Sequence, residues 1–393
     1  MTVTTPRGFR SAGLAVGLKS TGKPDLALVV NDGPERASAA VFTSNRSQAN
    51  PIIWSRNVAA TGLAARAIVL NSGGANCFTG DFGYETTRLT AEAVAAALSG
   101  EVGAEPVDAE QVFVCSTGLI GTGDQAFRDK IVNNVPALTA ALAADDTTAP
   151  AAILTTDSVE KTATHESPAG WRIGAMAKGA GMLAPGLATM LVVITTDARI
   201  DGDASDLALR RATTTSFDRL DSDGCMSTND QVTLLASGAS GVVPDAGEFE
   251  AALAAVCDSL AAQLQADAEG SSHDIDIEVR GAETEADAVE VARSVARNNL
   301  FKAAIFGNDP NWGRVLAAIG TTRAQFDPYA VDVSFNGVRL CHAGAPDRPV
   351  EECDLTPRRT HVEIELFAGE RTATVRTNDL THDYVHENSA YSS

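Results

Sequence analysis

Residues 178–198 read KGAGMLAPGLATMLVVITTDA. The run MLVVIT (190–195) is apolar and rich in β-branched residues, the composition of a strand covered on both faces. Gly179, Gly181, Pro185 and Gly186 precede it, so the chain reaches the strand through an irregular, turn-rich approach. Thr189 stands at the mouth of the strand, and two readings apply. In the first it is a β-branched residue starting a strand. In the second it is a nucleophile. A Thr hydroxyl is weak and needs a base; cutting the Ala188–Thr189 bond would make the α-amine of Thr189 that base. Such an amine has a reference pKa of about 7.7–8, so its free form is well populated near neutral pH. A strained Gly-rich turn before the threonine would favour attack of the hydroxyl on the preceding carbonyl. Spacing leaves both readings open.

Outward from this stretch, short apolar runs at 26–30, 67–70 and 112–115 predict buried strands. Each ends in a turn cluster: Asn31-Asp32-Gly33, Asn71-Ser72-Gly73-Gly74 and Ser116-Thr117-Gly118. Residues 87–98 carry Ala and Leu at helical spacing. The alternation of strand, loop and helix predicts an α/β chain. Residues 138–150 read as a helix running into a loop and 171–176 as a strand. Helices are expected at 206–217, 248–266 and 285–297; in the second, Leu253, Val256, Leu260 and Leu264 form one stripe. Strands follow at 331–335, 338–341, 361–367 and 372–376. Asn336-Gly337 is a type I′ hairpin signal, and residues 368–370 suggest a second turn.

The chain has 393 residues, enough for two or three domains or one large intertwined fold. Its net charge of −21 argues against a nucleic-acid partner, because such a surface repels phosphates. The six cysteines show no CxxC spacing, so neither a zinc site nor a dense disulfide framework is signalled; reduced, buried thiols are expected. The opening MTVTTPRGFRSAG lacks the apolar core of a secretory leader, and no apolar run reaches the ~20 residues of a membrane helix. A cytoplasmic location without membrane attachment is the expectation.

The 178–198 segment resembles the autoprocessing segment of the glutamate N-acetyltransferase (ornithine acetyltransferase) family of arginine biosynthesis. The resemblance runs along nearly the whole chain: PRGF (6–9), NSGGANCFTG (71–80), CSTGLIG (115–121), LTTD (154–157), DSDGCMSTND (221–230), GNDPNWGR (307–314) and ENSAYSS (387–393) occur in the family's order. It implies self-cleavage between Ala188 and Thr189, giving chains 1–188 and 189–393 that share one intertwined α/β core, assembled as α2β2. Because the strand after the cut reads as buried core, the cut is not expected to be a domain boundary.

The implied reaction is ping-pong. Thr189 takes the acetyl group of N-acetylornithine, ornithine leaves, and glutamate collects the acetyl group as N-acetylglutamate. Thr117 and Gly118 match the family's oxyanion pair, although STG also reads as a plain turn. Lys178 is expected beside the nucleophile, although a surface lysine before a Gly turn is the plainer reading. Thr156 matches a substrate contact, with Thr155 next to it. Glu269 matches a binding carboxylate suited to the δ-ammonium of ornithine. Its surroundings depart from the family: Ala268 stands where the family has Gly, and Ser271-Ser272-His273 replace Ala-Thr-Lys. Asn388 and Ser393 match C-terminal substrate contacts, which requires the tail to fold back. No metal or bound cofactor is implied; acetyl-CoA is a candidate second acetyl donor. A Thr amidohydrolase or aminopeptidase with water as acceptor is the alternative enzyme, and a non-enzymatic binding protein the alternative outside catalysis. The loops 71–80 and 307–314 are assigned no chemistry, although Asn76 could approach the site.

Overall fold

The computed structural model describes residues 2–62, 65–184 and 190–390. The chain begins with β1 (Phe9–Leu14), β2 (Leu26–Asn31), β3 (Ala37–Phe42), α1 (Asn50–Ala60), β4 (Ala67–Ser72), α2 (Gly80–Ser99) and β5 (Val112–Thr117). Three short helices follow, α3 (Gln125–Val132), α4 (Val135–Ala140) and α5 (Ala149–Ala152). The middle carries β6 (Lys161–Glu166), β7 (Arg172–Lys178), β8 (Leu191–Thr196), α6 (Gly202–Thr215), β9 (Gln231–Ala236) and α7 (Ala246–Ala266). Then come β10 (Asp274–Ala282), α8 (Glu285–Ala296), α9 (Asn299–Phe306) and α10 (Trp312–Ile319). The last elements are β11 (Asp332–Phe335), β12 (Val338–His342), β13 (Ala345–Pro346), β14 (Arg359–Glu365), β15 (Arg371–Asn378) and α11 (His382–Ala390).

The strands form a four-stranded sheet in the order β1-β2-β4-β5, a five-stranded sheet β3-β9-β8-β7-β6 and a six-stranded sheet β13-β12-β11-β14-β10-β15. The two-residue period of a strand explains how the first two sheets stack. Met176, Leu191 and Val193 point into a core shared with β1, β2, β4 and β5. Their neighbours Ile173, Ala175, Ala177, Val192 and Ile194 point into a second core with α6 and α7. Strand β8 is buried at every position, and each of its Val or Ile side chains contributes roughly 1.5–3 kcal/mol by leaving water. The open edge of β5 is covered by α1: Trp54 Nε1 donates to Val112 O at 3.0 Å, and the Ser55 hydroxyl joins Val114 O at 2.9 Å and Val114 N at 3.1 Å.

The five-stranded sheet takes β3, β6 and β7 from before residue 188 and β8 and β9 from after it. The fold is therefore a mixed α/β structure whose two halves build one core, as expected. The six-stranded sheet has its own core, in which Ile275, Ile277 and Val279 meet α8, α9 and α10.

Asn336 (φ 46°) and Gly337 (φ 81°) turn the β11–β12 hairpin through the left-handed region that a type I′ turn needs. Residues 368–370 do not close a hairpin. Strands β14 and β15 pair with opposite sides of β10, so this turn crosses the end of β10. Gly281 O accepts from Ala368 N at 2.7 Å and Gly369 N at 2.8 Å, and a Cβ on Gly369 would stand 2.4 Å from Ala282 O. The cysteines are all free thiols; Cys77, Cys115, Cys257 and Cys341 are buried, Cys353 is half-buried and Cys225 exposed. No helix among the described residues is long and apolar enough to cross a membrane.

Candidate active site

Strands β7 and β8 are antiparallel neighbours, and Lys178 pairs with Leu191. Residues 179–190 thus connect two strands that lie side by side. Ala188 and Thr189 lie outside the described residues, as does Ser393. The flanks are fixed. Ala184 and Met190 are buried, Met190 N donates to Asp230 Oδ1 at 3.0 Å, and Met190 O accepts from Gln231 N at 3.2 Å.

The stacking of the first two sheets brings the end of β5 to the end of β7. Thr117 is buried there, and Lys178 Nζ donates to its Oγ1 at 3.3 Å. Gly118 follows at φ 125°, where an added Cβ would stand 2.6 Å from Gly74 N and 2.8 Å from Gly73 C. Only glycine fits that close approach. The loop 71–80 forms the wall behind this pair, with Gly74 N donating to Thr117 O at 3.0 Å. Asn76 turns away from the site: its amide donates to Gly83 O at 2.8 Å and to Thr87 Oγ1 at 3.0 Å, fixing the start of α2.

Lys178 is 1% exposed, so it is no surface lysine. Burial lowers its pKa, and Asp157, with Oδ2 4.0 Å away, opposes that shift in part. Asp157 itself is held in place by Lys161 Nζ at 2.7 Å and by Gly179 N at 2.6 Å. Burial works against its charge, yet Lys178 and Lys161 bring the carboxyl down to about 2. Thr155 N donates to the same carboxylate at 3.0 Å, and its hydroxyl turns the same way at 3.5 Å. Thr156 is exposed and its side chain makes no hydrogen bond among the described residues, whereas Thr155 is half-buried.

Glu269 sits on the other side of residues 179–181. It is only 9% exposed, so it is no solvated helix-end acid. Its N donates to Ala180 O at 3.0 Å, and a Cβ on Gly181 would stand 2.6 Å from both of its carboxylate oxygens. The C-terminal helix α11 does fold back: Asn388 Nδ2 donates to Glu269 Oε2 at 3.0 Å. The residues that depart from the family pattern form their own node. Ser272 and His273 both bind Asp379, the latter through Nδ1 at 2.8 Å, and Ala268 packs into the second core. Glu269 lines a cavity of about 350 Å³ with Asp223, Lys302, Asn378 and Tyr384.

The structure thus brings together Thr117, Gly118 and Lys178 on one flank of the 179–190 connection, and Glu269 and Asn388 on the other, with the Thr155–Asp157 turn bound to its start. Sequence reasoning missed Asp157, Asn229, Asp223 and Asp230. The last three lie in the motif 221–230, whose residues carry no roles legible from the sequence. Ser222 N and Asp223 N donate to Leu183 O at 2.6 Å and 3.3 Å, while Asp230 accepts from Met190 N, so the motif grips the connection before and after the Ala188–Thr189 bond. Asn229 Nδ2 bridges Ala75 O at 2.7 Å and Ser116 O at 2.8 Å, tying the same motif to the Thr117 strand. Burial pushes Asp230 well above the usual carboxylate range. The loop 307–314 is architectural: Asn311 caps α10 by accepting from Arg314 N at 3.2 Å, and Trp312 packs against the third core. Among the described residues no group of three or more His, Cys, Asp or Glu side chains could hold a metal ion.

Comparison with known proteins matches the chain to a family. A family model described as the ArgJ family covers residues 10–393. The arginine biosynthesis bifunctional protein ArgJ of Streptomyces avermitilis is 56% identical over 394 residues, covering 100% of both chains. Its counterpart of the same name in Mycobacterium tuberculosis is 50% identical over 395 residues, covering 100% of this chain and 96% of that one. A solved structure of ornithine acetyltransferase complexed with ornithine, also from Mycobacterium tuberculosis, is 46% identical, covers 48% of this chain and 96% of that chain, and has a TM-score of 0.45. With a family model over residues 10–393 and end-to-end relatives at half identity or more, the chain belongs to the ArgJ family.

Proposed function

We propose that the chain cuts itself between Ala188 and Thr189 and that Thr189 then carries an acetyl group from N-acetylornithine to glutamate. As a member of the ArgJ family the chain is an acetyltransferase of arginine biosynthesis. The observation that carries the mechanistic reading is the convergence of Thr117, Gly118 and Lys178 on one flank of the 179–190 connection and Glu269 and Asn388 on the other.

In the first step the Thr189 hydroxyl oxygen bonds to the Ala188 carbonyl carbon and the Ala188–Thr189 C–N bond breaks. The hydroxyl proton passes to the departing nitrogen, and water hydrolyses the resulting ester. The antiparallel ladder of β7 and β8, running from Ile173–Thr196 to Lys178–Leu191, keeps the two products paired. In the transfer step the α-amine of Thr189 takes the hydroxyl proton while the oxygen attacks the acetyl carbonyl. The Thr117 hydroxyl and the Gly118 N–H face the developing oxyanion, and the Lys178 ammonium, bonded to Thr117 Oγ1, orients that hydroxyl. The proton leaves with ornithine; glutamate then attacks the acetyl ester and restores the hydroxyl. Glu269, held by Asn388, receives the δ-ammonium of the donor, and Thr156 and Ser393 complete the substrate contacts.

The bifunctional name of the relatives supports acetyl-CoA as a second acetyl donor. An α2β2 assembly in the cytoplasm completes the proposal. A Thr amidohydrolase would use the same nucleophile with water, and the family membership favours transfer. The test is Thr189→Ala, expected to give one uncut band on denaturing electrophoresis and no acetyl transfer. A cut or an active Thr189→Ala protein would overturn the reading, and acetylornithine consumption that does not respond to glutamate would point to the hydrolase.

A further inference from the structure

Lys302, on α9, is 6% exposed. Among the described residues no carboxylate lies within 4.0 Å of its ammonium. Its two hydrogen-bond partners are neutral: Ser222 O, and Thr377 Oγ1 at 3.3 Å. An ammonium has three donors, and Lys302 lines the cavity of about 350 Å³ that also holds Glu269. Burying a cation without an anionic partner is costly, and proteins keep such groups for a ligand or pair them. The other ionic groups around this cavity are already engaged. Arg297 binds Asp221 at 2.7 Å, Asp379 is taken by Ser272 and His273, and Asp223 accepts from Cys225 N at 3.0 Å. Burial brings the Lys302 ammonium down to about 8, with Asp223, Asp221 and Asp379 favouring its charge from farther away.

The role of Lys302 rests on the acetyl-transfer reading, and that reaction sets a recognition problem. Two amino acids use one nucleophile in turn, and their side chains end in opposite charges: an ammonium on ornithine, a carboxylate on glutamate. A pocket built only around Glu269 would repel the second substrate. We propose that Lys302 is the acceptor-specificity residue, holding the side-chain carboxylate of glutamate in the cavity it shares with Glu269. The donor half-reaction then uses the Glu269 wall and the acceptor half-reaction the Lys302 wall. Neither wall needs to move, because only one substrate side chain is present at a time. Glutamine, which has the same shape and no charge, is the natural probe of the second wall.

The experiment uses the self-cleaved enzyme and follows the two half-reactions separately: release of ornithine from N-acetylornithine, and acetylation of glutamate or glutamine. Lys302→Met should raise the KM for glutamate about ten- to hundredfold, the size of a lost charge-assisted hydrogen bond. The ratio of kcat/KM for glutamate over glutamine should collapse toward one, while ornithine release changes less than about threefold. Lys302→Gln gives a second neutral variant should the methionine prevent folding, and Lys302→Arg should retain a preference for glutamate. A purely structural lysine would depress both half-reactions together and leave the glutamate-to-glutamine ratio intact; that outcome overturns the proposal. A wild-type enzyme that moves no acetyl group from N-acetylornithine to glutamate would overturn the acetyl-transfer reading itself.

Discussion

Three lysines of this chain are buried, and their surroundings differ in a graded way. Lys161 has two carboxylate partners, Asp157 at 2.7 Å and Asp267 at 2.5 Å. Lys178 has one, Asp157, at the outer limit of 4.0 Å, and spends a hydrogen bond on the Thr117 hydroxyl instead. Lys302 has only neutral oxygens. The fully paired lysine is structural glue between the Thr155–Asp157 turn and the end of α7. The half-paired lysine sits where an oxyanion is expected to form, and the unpaired one faces a cavity. Pairing withdraws a charge from chemistry, so the least paired lysines are the ones left to meet a ligand.

Lys161→Met should give the largest effect on stability. It strips the direct ion-pair partner from both Asp157 and Asp267, and breaking a buried pair in this way typically costs about 3–5 kcal/mol. Chemical denaturation of the variant measures this; a loss below about 1 kcal/mol would break the distinction drawn between Lys161 and its neighbours. Lys178→Met should act on the other axis. Asp157 keeps Lys161, so stability should change little, while acetyl transfer should fall by about a hundredfold or more through loss of the group that orients the Thr117 hydroxyl. Steady-state kinetics beside the same denaturation curve separates the two lysines. Equal losses of stability in both variants would make Lys178 a second structural pair.

The sequence makes one of these lysines legible and leaves two dark. The family resemblance sets Lys178 near the proposed nucleophile, and the apolar run around it places its strand. Local composition suffices for strands such as β8, predicted at 190–195 and found as Leu191–Thr196, because all of its side chains are apolar or β-branched. It fails for β3, β6 and β10. Strand β6 is KTATHE, with one buried residue, the lysine itself, and β10 alternates acid with aliphatic side chains over a half-open face. Lys161 and Lys302 each read as ordinary polar positions. What buries them is contact with residues 106 and 80 positions away, and no window along the chain contains that. For the same reason the role of Asp230 is invisible within its motif: its bond to Met190 N spans 40 residues.

The acid limb of stability offers the finest test of the graded pairing. Against the cost of burial, Lys178 and Lys161 hold the Asp157 carboxyl at about 2 in the folded chain; in an unfolded one it stands near 3.9. A depressed folded value means that the unfolded state binds the extra proton first. The contribution of Asp157 is therefore complete above about pH 4 and is lost as the pH falls through about 2, amounting to about 2 kcal/mol. Removing Lys161 takes away part of what depresses that value. The stability gap between wild type and Lys161→Met should accordingly be widest at neutral pH and narrow by pH 3, where the wild-type carboxylate begins to lose its advantage. Lys178→Met should show the same narrowing on a smaller scale, since Lys178 acts on Asp157 through its charge alone from 4.0 Å, whereas Lys161 adds a hydrogen bond at 2.7 Å to its charge. A gap that stays constant from pH 7 to pH 3 would mean that Lys161 stabilises through its packing alone, and the ranking of the lysines by charge would fail.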